Sequence, residues 1–108
     1  LAASGSAKAV AITSGMGSLA DVQSPMAMMY RTSKAGLNMA MRVRALQLKP
    51  QGVTVAVINP GWVQTDMGGP GAKTSVEDSV AGMRAAIEAL SADRAGSFLN
   101  WQGEDLPW

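Results

Sequence analysis

The chain has 108 residues, enough for one small domain, and with 47% apolar and 16% charged residues its composition is globular, not disordered. It contains no cysteine and no histidine, which excludes disulfides and the usual zinc, copper and haem ligands and leaves acid–base work to Tyr, Lys, Asp or Glu. Net charge is +1, no apolar run approaches the roughly 18 residues of a membrane span, and no signal-peptide pattern opens the chain, so a cytoplasmic protein with no membrane partner is expected.

The first element is Ala9-Val10-Ala11-Ile12-Thr13, a short apolar run that ends in the Gly/Ser cluster Ser14-Gly15-Met16-Gly17-Ser18. It reads as a strand buried on both faces, followed by a loop that continues through Asp21 to Pro25. A helix is predicted from about Met28 to Leu48, stopped by Pro50 and Gly52. Tyr30, Lys34, Leu37, Met41 and Leu48 share one side of it, while Ser33, Gly36 and Ala40 make a stripe of small residues that another helix could approach closely. That stripe is open to two readings, a subunit interface in a homo-oligomer or part of the core. Between Asp21 and Asp66 there is no acidic residue, yet Arg31, Lys34, Arg42, Arg44 and Lys49 fall there. They are dispersed and lack interleaved aromatics, so they read as a solvated helix face, with no nucleic-acid partner.

Val53-Thr54-Val55-Ala56-Val57-Ile58-Asn59 is the clearest strand, β-branched and bounded by Gly52 and Pro60. A Gly/Pro-rich loop runs from Pro60 to Ala72. The next helix opens with Thr74-Ser75-Val76-Glu77, which has capping-box form. Its residues Val76, Val80, Met83, Ile87 and Leu90 keep helical spacing and read as a core stripe, apart from any cofactor site. Ser97–Trp101 reads as a last strand. The order strand, helix, strand, helix, strand implies an α/β fold of parallel strands joined by right-handed crossovers. No internal repeat, low-complexity tract or linker is evident.

Tyr30 and Lys34 stand four residues apart on one helical face, which places their Cβ atoms about 5–6 Å apart. An ammonium held there favours the phenolate and makes the phenol usable as an acid or base near neutral pH. In an open parallel sheet, ligands bind in the crevice beyond the carboxyl ends of the strands. Ser14 ends the first strand, Asn59-Pro60-Gly61 ends the second, and the long loop into the Tyr30 helix can bring that helix start to the same crevice. Three sequence-distant polar groups therefore converge where this architecture binds ligands.

A serine ending a strand, Tyr-x-x-x-Lys opening a helix and Asn-Pro-Gly-x-x-x-Thr ending the next strand resemble the short-chain dehydrogenase/reductase family. Tyr30-Arg31-Thr32-Ser33-Lys34-Ala35, the stretch from Pro60 to Gly69 and the ending Gly103-Glu104-Asp105-Leu106-Pro107-Trp108 resemble its branch of C-factor and sniffer-type carbonyl reductases. The likeness covers essentially the whole chain. It implies that residues 1–108 form the C-terminal, catalytic half of a Rossmann-like, doubly wound, NAD(P)-binding domain.

By the same resemblance, Tyr30 donates a proton to a carbonyl or takes one from an alcohol, and Ser14 hydrogen-bonds the reacting oxygen. Lys34 hydrogen-bonds the nicotinamide ribose, with Tyr30 beside it among the cofactor contacts. Pro60, Gly61, Val63 and Thr65 belong to the loop that packs around the nicotinamide and its carboxamide. Ser18 is an alternative to Ser14, which is preferred because it directly ends the strand. Asn59 either supports the turn into Pro60 or contacts a ligand. Trp62 and Met67 either line the substrate pocket or pack in the core. The implied substrate is a small-molecule carbonyl or alcohol.

No glycine-rich strand–turn–helix for a dinucleotide pyrophosphate is present, so NAD and NADP stay equally open and the chain is expected to be part of a longer enzyme. Alone it is expected to leave one edge of the first strand unpaired, to fold poorly or associate there, and to lack dinucleotide binding and turnover. The competing reading is a non-catalytic signalling or interaction protein of C-factor type, or an inactive fragment of the enzyme.

Overall fold

The computed structural model describes Ala3 and residues 6–108. Three strands and two helices alternate along the chain: β1 (Lys8–Ile12), α1 (Met28–Leu48), β2 (Thr54–Asn59), α2 (Val76–Ala89) and β3 (Phe98–Asn100). All pairings are parallel and the spatial order is β1-β2-β3. The alternation predicted from the sequence is the one observed, a partial parallel α/β sheet of Rossmann-like kind.

The central strand is the β-branched run Thr54-Val55-Ala56-Val57-Ile58, buried along its whole length. Because strand side chains alternate between faces, it feeds two apolar clusters. On one face Val53 and Val55 meet Ala45 of α1, with Ala9, Met41 and Leu48 packed around them. On the other, Ala56 and Ile58 join Leu99 of β3 and Ala86 and Leu90 of α2, with Val10 and Met83 alongside. Phe98 is fully buried against Trp108, ring centroids 5.2 Å apart, and the Arg42 guanidinium lies 4.7 Å over the Trp108 ring. The C-terminal residues thereby fasten α1 to the sheet, and Arg42 is held by an aromatic face.

Helix α1 ends where Pro50 enters a 3-10 turn and Gly52 adopts left-handed backbone at φ 76°. The two α1 residues that are fully buried are Asn38 and Ala45, a line that apolar spacing does not reveal because one member is polar. The stripe of Ser33, Gly36 and Ala40 is exposed, and a Cβ on Gly36 would meet no atom within 4 Å. The core reading of that stripe therefore does not hold for the described residues. Met39, Val43 and Leu46 are exposed beside it. No helix among the described residues is long and apolar enough to cross a membrane.

Two further expectations need correction. β1 is half-buried instead of covered on both faces, and its Ile12 is 50% exposed. It is an edge strand of the described sheet, and the α2 core residues Ala86 and Leu90 cluster with β2 and β3, reaching β1 only through Val10. The α2 cap also lies one residue later than Thr74. Ser75 accepts from the Asp78 N–H at 3.1 Å, with Glu77 and Asp78 in the first turn where they complement the helix dipole. Thr74 is occupied elsewhere: its N–H donates to Trp62 O at 3.0 Å and its carbonyl accepts from Gln64 N at 2.8 Å. Replacing Ser75 by Ala is expected to lower stability by about 1 kcal/mol, read as a shifted urea midpoint, while Thr74→Ala has the smaller effect; the reverse order would return the cap to Thr74.

Candidate active site

The parallel register fixes the geometry at the carboxyl edge. Ile12 is opposite Ile58, and the ladder continues one step further as Thr13 N donates to Ile58 O at 2.8 Å. Ser14 follows in extended conformation and caps the 3-10 turn Gly15–Gly17, its Oγ accepting from Met16 N at 3.1 Å. One lone pair of the hydroxyl is thereby taken, and its proton remains available to donate to a ligand.

Tyr30 enters from the first turn of α1. Ala27, at φ 60°, precedes the helix with no side-chain cap. The Arg31 Nε–H donates to Met26 O at 2.7 Å and braces that entry. The Tyr30 ring is 38% exposed, and Lys34 Nζ lies 5.7 Å from its centroid on the next turn. Within the described residues neither the Tyr30 hydroxyl nor the Lys34 ammonium has a hydrogen-bond or ion-pair partner.

Beyond β2 the chain turns sharply. Asn59 Oδ1 accepts from Gly61 N at 3.1 Å, so its side chain supports the turn across Pro60. Gly61 has φ +84°, and a Cβ there would lie 2.9 Å from Trp101 Cδ1; only glycine meets both conditions at low cost. The Pro60 carbonyl accepts from Ser79 Oγ of α2 at 2.7 Å. Trp62 Nε1 donates to Gly68 O at 2.8 Å and Gly68 N to Thr65 Oγ1 at 3.1 Å, which closes residues 62–68 into a braced turn.

These segments line an open cavity of about 920 Å³. Ser14, Tyr30, Pro60, Gly61, Val63 and Thr65 are all on its wall, and so are Trp62 and Met67. Met67 is 90% exposed and Trp62 54%, so neither packs in the core. Lys34 is half-buried and stands off the wall, beside Tyr30. Ser18 is 2% exposed, accepts from Asp21 N at 3.3 Å and lies off this wall.

The opposite wall is Val76, Ser79, Val80 and Met83 of α2. The helical stripe read as core therefore divides: Leu90 is buried and Met83 and Ile87 are half-buried, whereas Val76 and Val80 are 40% and 46% exposed and face the cavity. Sequence reasoning also missed Ser79, 1% exposed, although a small hydroxyl between Val76 and Val80 was a visible break in an apolar face. None of the lining residues is charged. The wall thus offers hydroxyls, an amide and backbone groups within an otherwise apolar surface. Among the described residues no acidic cluster could hold a metal ion.

The chain is 47% identical over 97 residues to C-signal of Myxococcus xanthus, covering 90% of this chain and 58% of that protein. It is 35% identical over 106 residues to 1-hydroxy-2-glutathionyl-2-methyl-3-butene dehydrogenase of Rhodococcus sp. (strain AD45), covering 94% of this chain and 47% of the relative. Among solved structures, NADPH-bound carbonyl reductase from chicken fatty liver superposes with a TM-score of 0.90 at 36% identity, over 99% of this chain and 46% of that one. Carbonyl reductase Sniffer of D. melanogaster gives 0.85 at 34% identity, over 94% and 41%. The chain thus spans between 41% and 58% of the length of these relatives. Residues 1–76, which hold Ser14, Tyr30, Lys34 and the loop from Pro60 to Thr65, match the family model of the short chain dehydrogenases, and the chain belongs to that family.

Proposed function

We propose that the complete protein is an NAD(P)-dependent oxidoreductase that interconverts a small-molecule carbonyl and its alcohol, with Tyr30 as the proton donor and acceptor. The observation that carries this reading is the meeting of Ser14 and Tyr30, from separate segments, on one uncharged cavity at the carboxyl edge of the sheet. Reduction of a carbonyl leaves negative charge on its oxygen, and a phenol that protonates it beside a hydroxyl that hydrogen-bonds it are the groups this needs. Ser14 has a proton to give because its acceptor side is held by Met16 N. Lys34 Nζ, 5.7 Å from the centroid of the Tyr30 ring, stands on the next turn beside the proton donor.

The residues present fit a nicotinamide. The Pro60–Thr65 segment offers a neutral, braced surface with backbone groups for a carboxamide, and Thr65, accepting from Gly68 N, keeps its own proton to donate. Tyr30 and Lys34 would serve the ribose hydroxyls. When bound, that group supplies or accepts the hydride. Trp62, Met67, Val76, Val80 and Met83 present apolar surface to the reacting group and favour an apolar substrate. The neighbour described as an NADPH-bound carbonyl reductase supports both the cofactor class and the reaction. Kinship with a protein named C-signal supports a second reading, a signalling protein without turnover. Absence of NAD(P)H oxidation on a panel of aldehydes and ketones would favour that second reading.

In the full-length protein, Tyr30→Phe is expected to lower kcat by about 10²–10⁴-fold while dinucleotide affinity, followed by NAD(P)H fluorescence, changes little; retained turnover contradicts the assignment. Lys34→Ala should reduce turnover and weaken dinucleotide binding together, since both roles fall on one ammonium; loss of only one would remove the other role. Trp62→Phe should release the braced turn, raising KM for the carbonyl several-fold with a smaller change in kcat; an unchanged KM would show that the indole–Gly68 bond does not shape the substrate wall.

A further inference from the structure

Asn38 is a buried polar residue of α1 to which the proposed chemistry gives no part. It is 3% exposed, lies four residues after Lys34 and eight after Tyr30 on α1, and so sits on their side of the helix about two turns on. Its Oδ1 accepts from Thr13 Oγ1 at 2.5 Å, and Thr13, also 3% exposed, is the residue immediately before Ser14. The Nδ2 group is buried with no hydrogen-bond partner. On the other side of Ser14, Gly17 rests on the same helical turn. A Cβ at Gly17 would lie 2.9 Å from Asn38 Nδ2 and 2.9 Å from the Lys34 carbonyl carbon. Both flanks of Ser14 are therefore seated on the Lys34–Asn38 turn of α1.

An amide with an orphaned N–H₂ is a costly way to fill this space, since an unmet buried donor costs about 1–3 kcal/mol. A leucine facing a valine at position 13 would avoid that cost. What the amide adds is direction: its bond to Thr13 fixes how far the end of β1 lies along α1, and hence where the Ser14 hydroxyl stands relative to Tyr30. Misplacement of a reacting group by about 1 Å can cost roughly 10²-fold in rate.

We infer that the buried Thr13–Asn38 hydrogen bond is the positioning element of the site, setting the Ser14 hydroxyl against the Tyr30 phenol. Asn38 stands off the cavity wall and acts only through Thr13 and Ser14. The inference rests on the assignment of Ser14 and Tyr30 in the proposed function.

Its test compares rate with stability in the full-length protein, using NADPH with benzaldehyde and 2-octanone as probes. Thr13→Val leaves Asn38 wholly unpaired and should lower both Tm and kcat. Thr13→Val/Asn38→Leu removes both polar partners, which can be nearly neutral for stability. We expect its Tm to return toward the parent value while kcat stays about 10–10²-fold down and NADPH affinity holds. Thr13→Ser, which keeps the hydroxyl, should retain at least about ten times the kcat of Thr13→Val, and this comparison decides the matter if the double variant does not accumulate folded. A kcat that recovers with Tm in the double variant, or equal rates for the Ser and Val variants, overturns the inference and leaves the pair a structural contact. Tyr30→Phe is assayed alongside. If Tyr30→Phe is inactive, the result for Thr13 and Asn38 bears on positioning alone. If it is active, the assignment of the site is wrong and the inference falls with it.

Discussion

The parallel pairing of Lys8–Ile12 with Thr54–Ile58 is the constraint on which the rest depends. Parallel strands leave the sheet at one edge, so Thr13 and Ser14 must emerge beside Asn59 and Pro60 whatever their separation in sequence. The crossover between them must then return a helix across the sheet, and α1 does so with its N-terminal turn at that same edge. A serine, a tyrosine and a glycine-bearing loop meet because of strand direction, before any direct contact among them is considered. The apolar clusters on the two faces of β2 hold this arrangement together, and Met83, packed against one of them, also lines the cavity.

Polar bonds at that edge do a different job from the apolar clusters. The Pro60 carbonyl is held by Ser79, the Gly61 N–H by Asn59, the Gly68 carbonyl by Trp62 and the Met16 N–H by Ser14. Each ties a loop backbone group to a side chain, so the loops that line the cavity are set by hydrogen bonds and not by burial. Such a wall keeps its shape while presenting apolar surface to a ligand, which suits a site that must exclude water around a reacting oxygen. The proposed reaction needs this rigidity because the proton donor and the hydrogen-bonding serine come from different elements.

Local features were legible in the sequence, and contacts between elements were not. Helix α1 begins and ends where Met28, Leu48 and Pro50 indicated, because periodicity and breakers are properties of neighbouring residues. The strand at Thr54–Asn59 was equally plain, its β-branched run having no competing reading. The α2 cap moved from Thr74 to Ser75 because a bridge to the loop at Val63 claims Thr74, a contact eleven residues away. Val76 and Val80 kept core-like spacing yet line the cavity, since spacing marks a face and does not say what that face meets. Asn38 was passed over because a polar residue inside an apolar stripe reads as noise until its partner, Thr13, is seen. For the site, the motif residues Ser14, Tyr30 and Pro60–Thr65 could be named from sequence; that they share one wall, with Lys34 behind it, required the fold.

The central claim is that Ser14 and Tyr30 act on one oxygen atom. A double-mutant cycle on carbonyl reduction by the full-length protein, with Ser14→Ala, Tyr30→Phe and the pair combined, tests this most directly. Groups that stabilise the same developing charge are strongly non-additive. The account predicts that the double variant is little slower than the slower single variant. Losses that multiply, as for two independent sites, would contradict it.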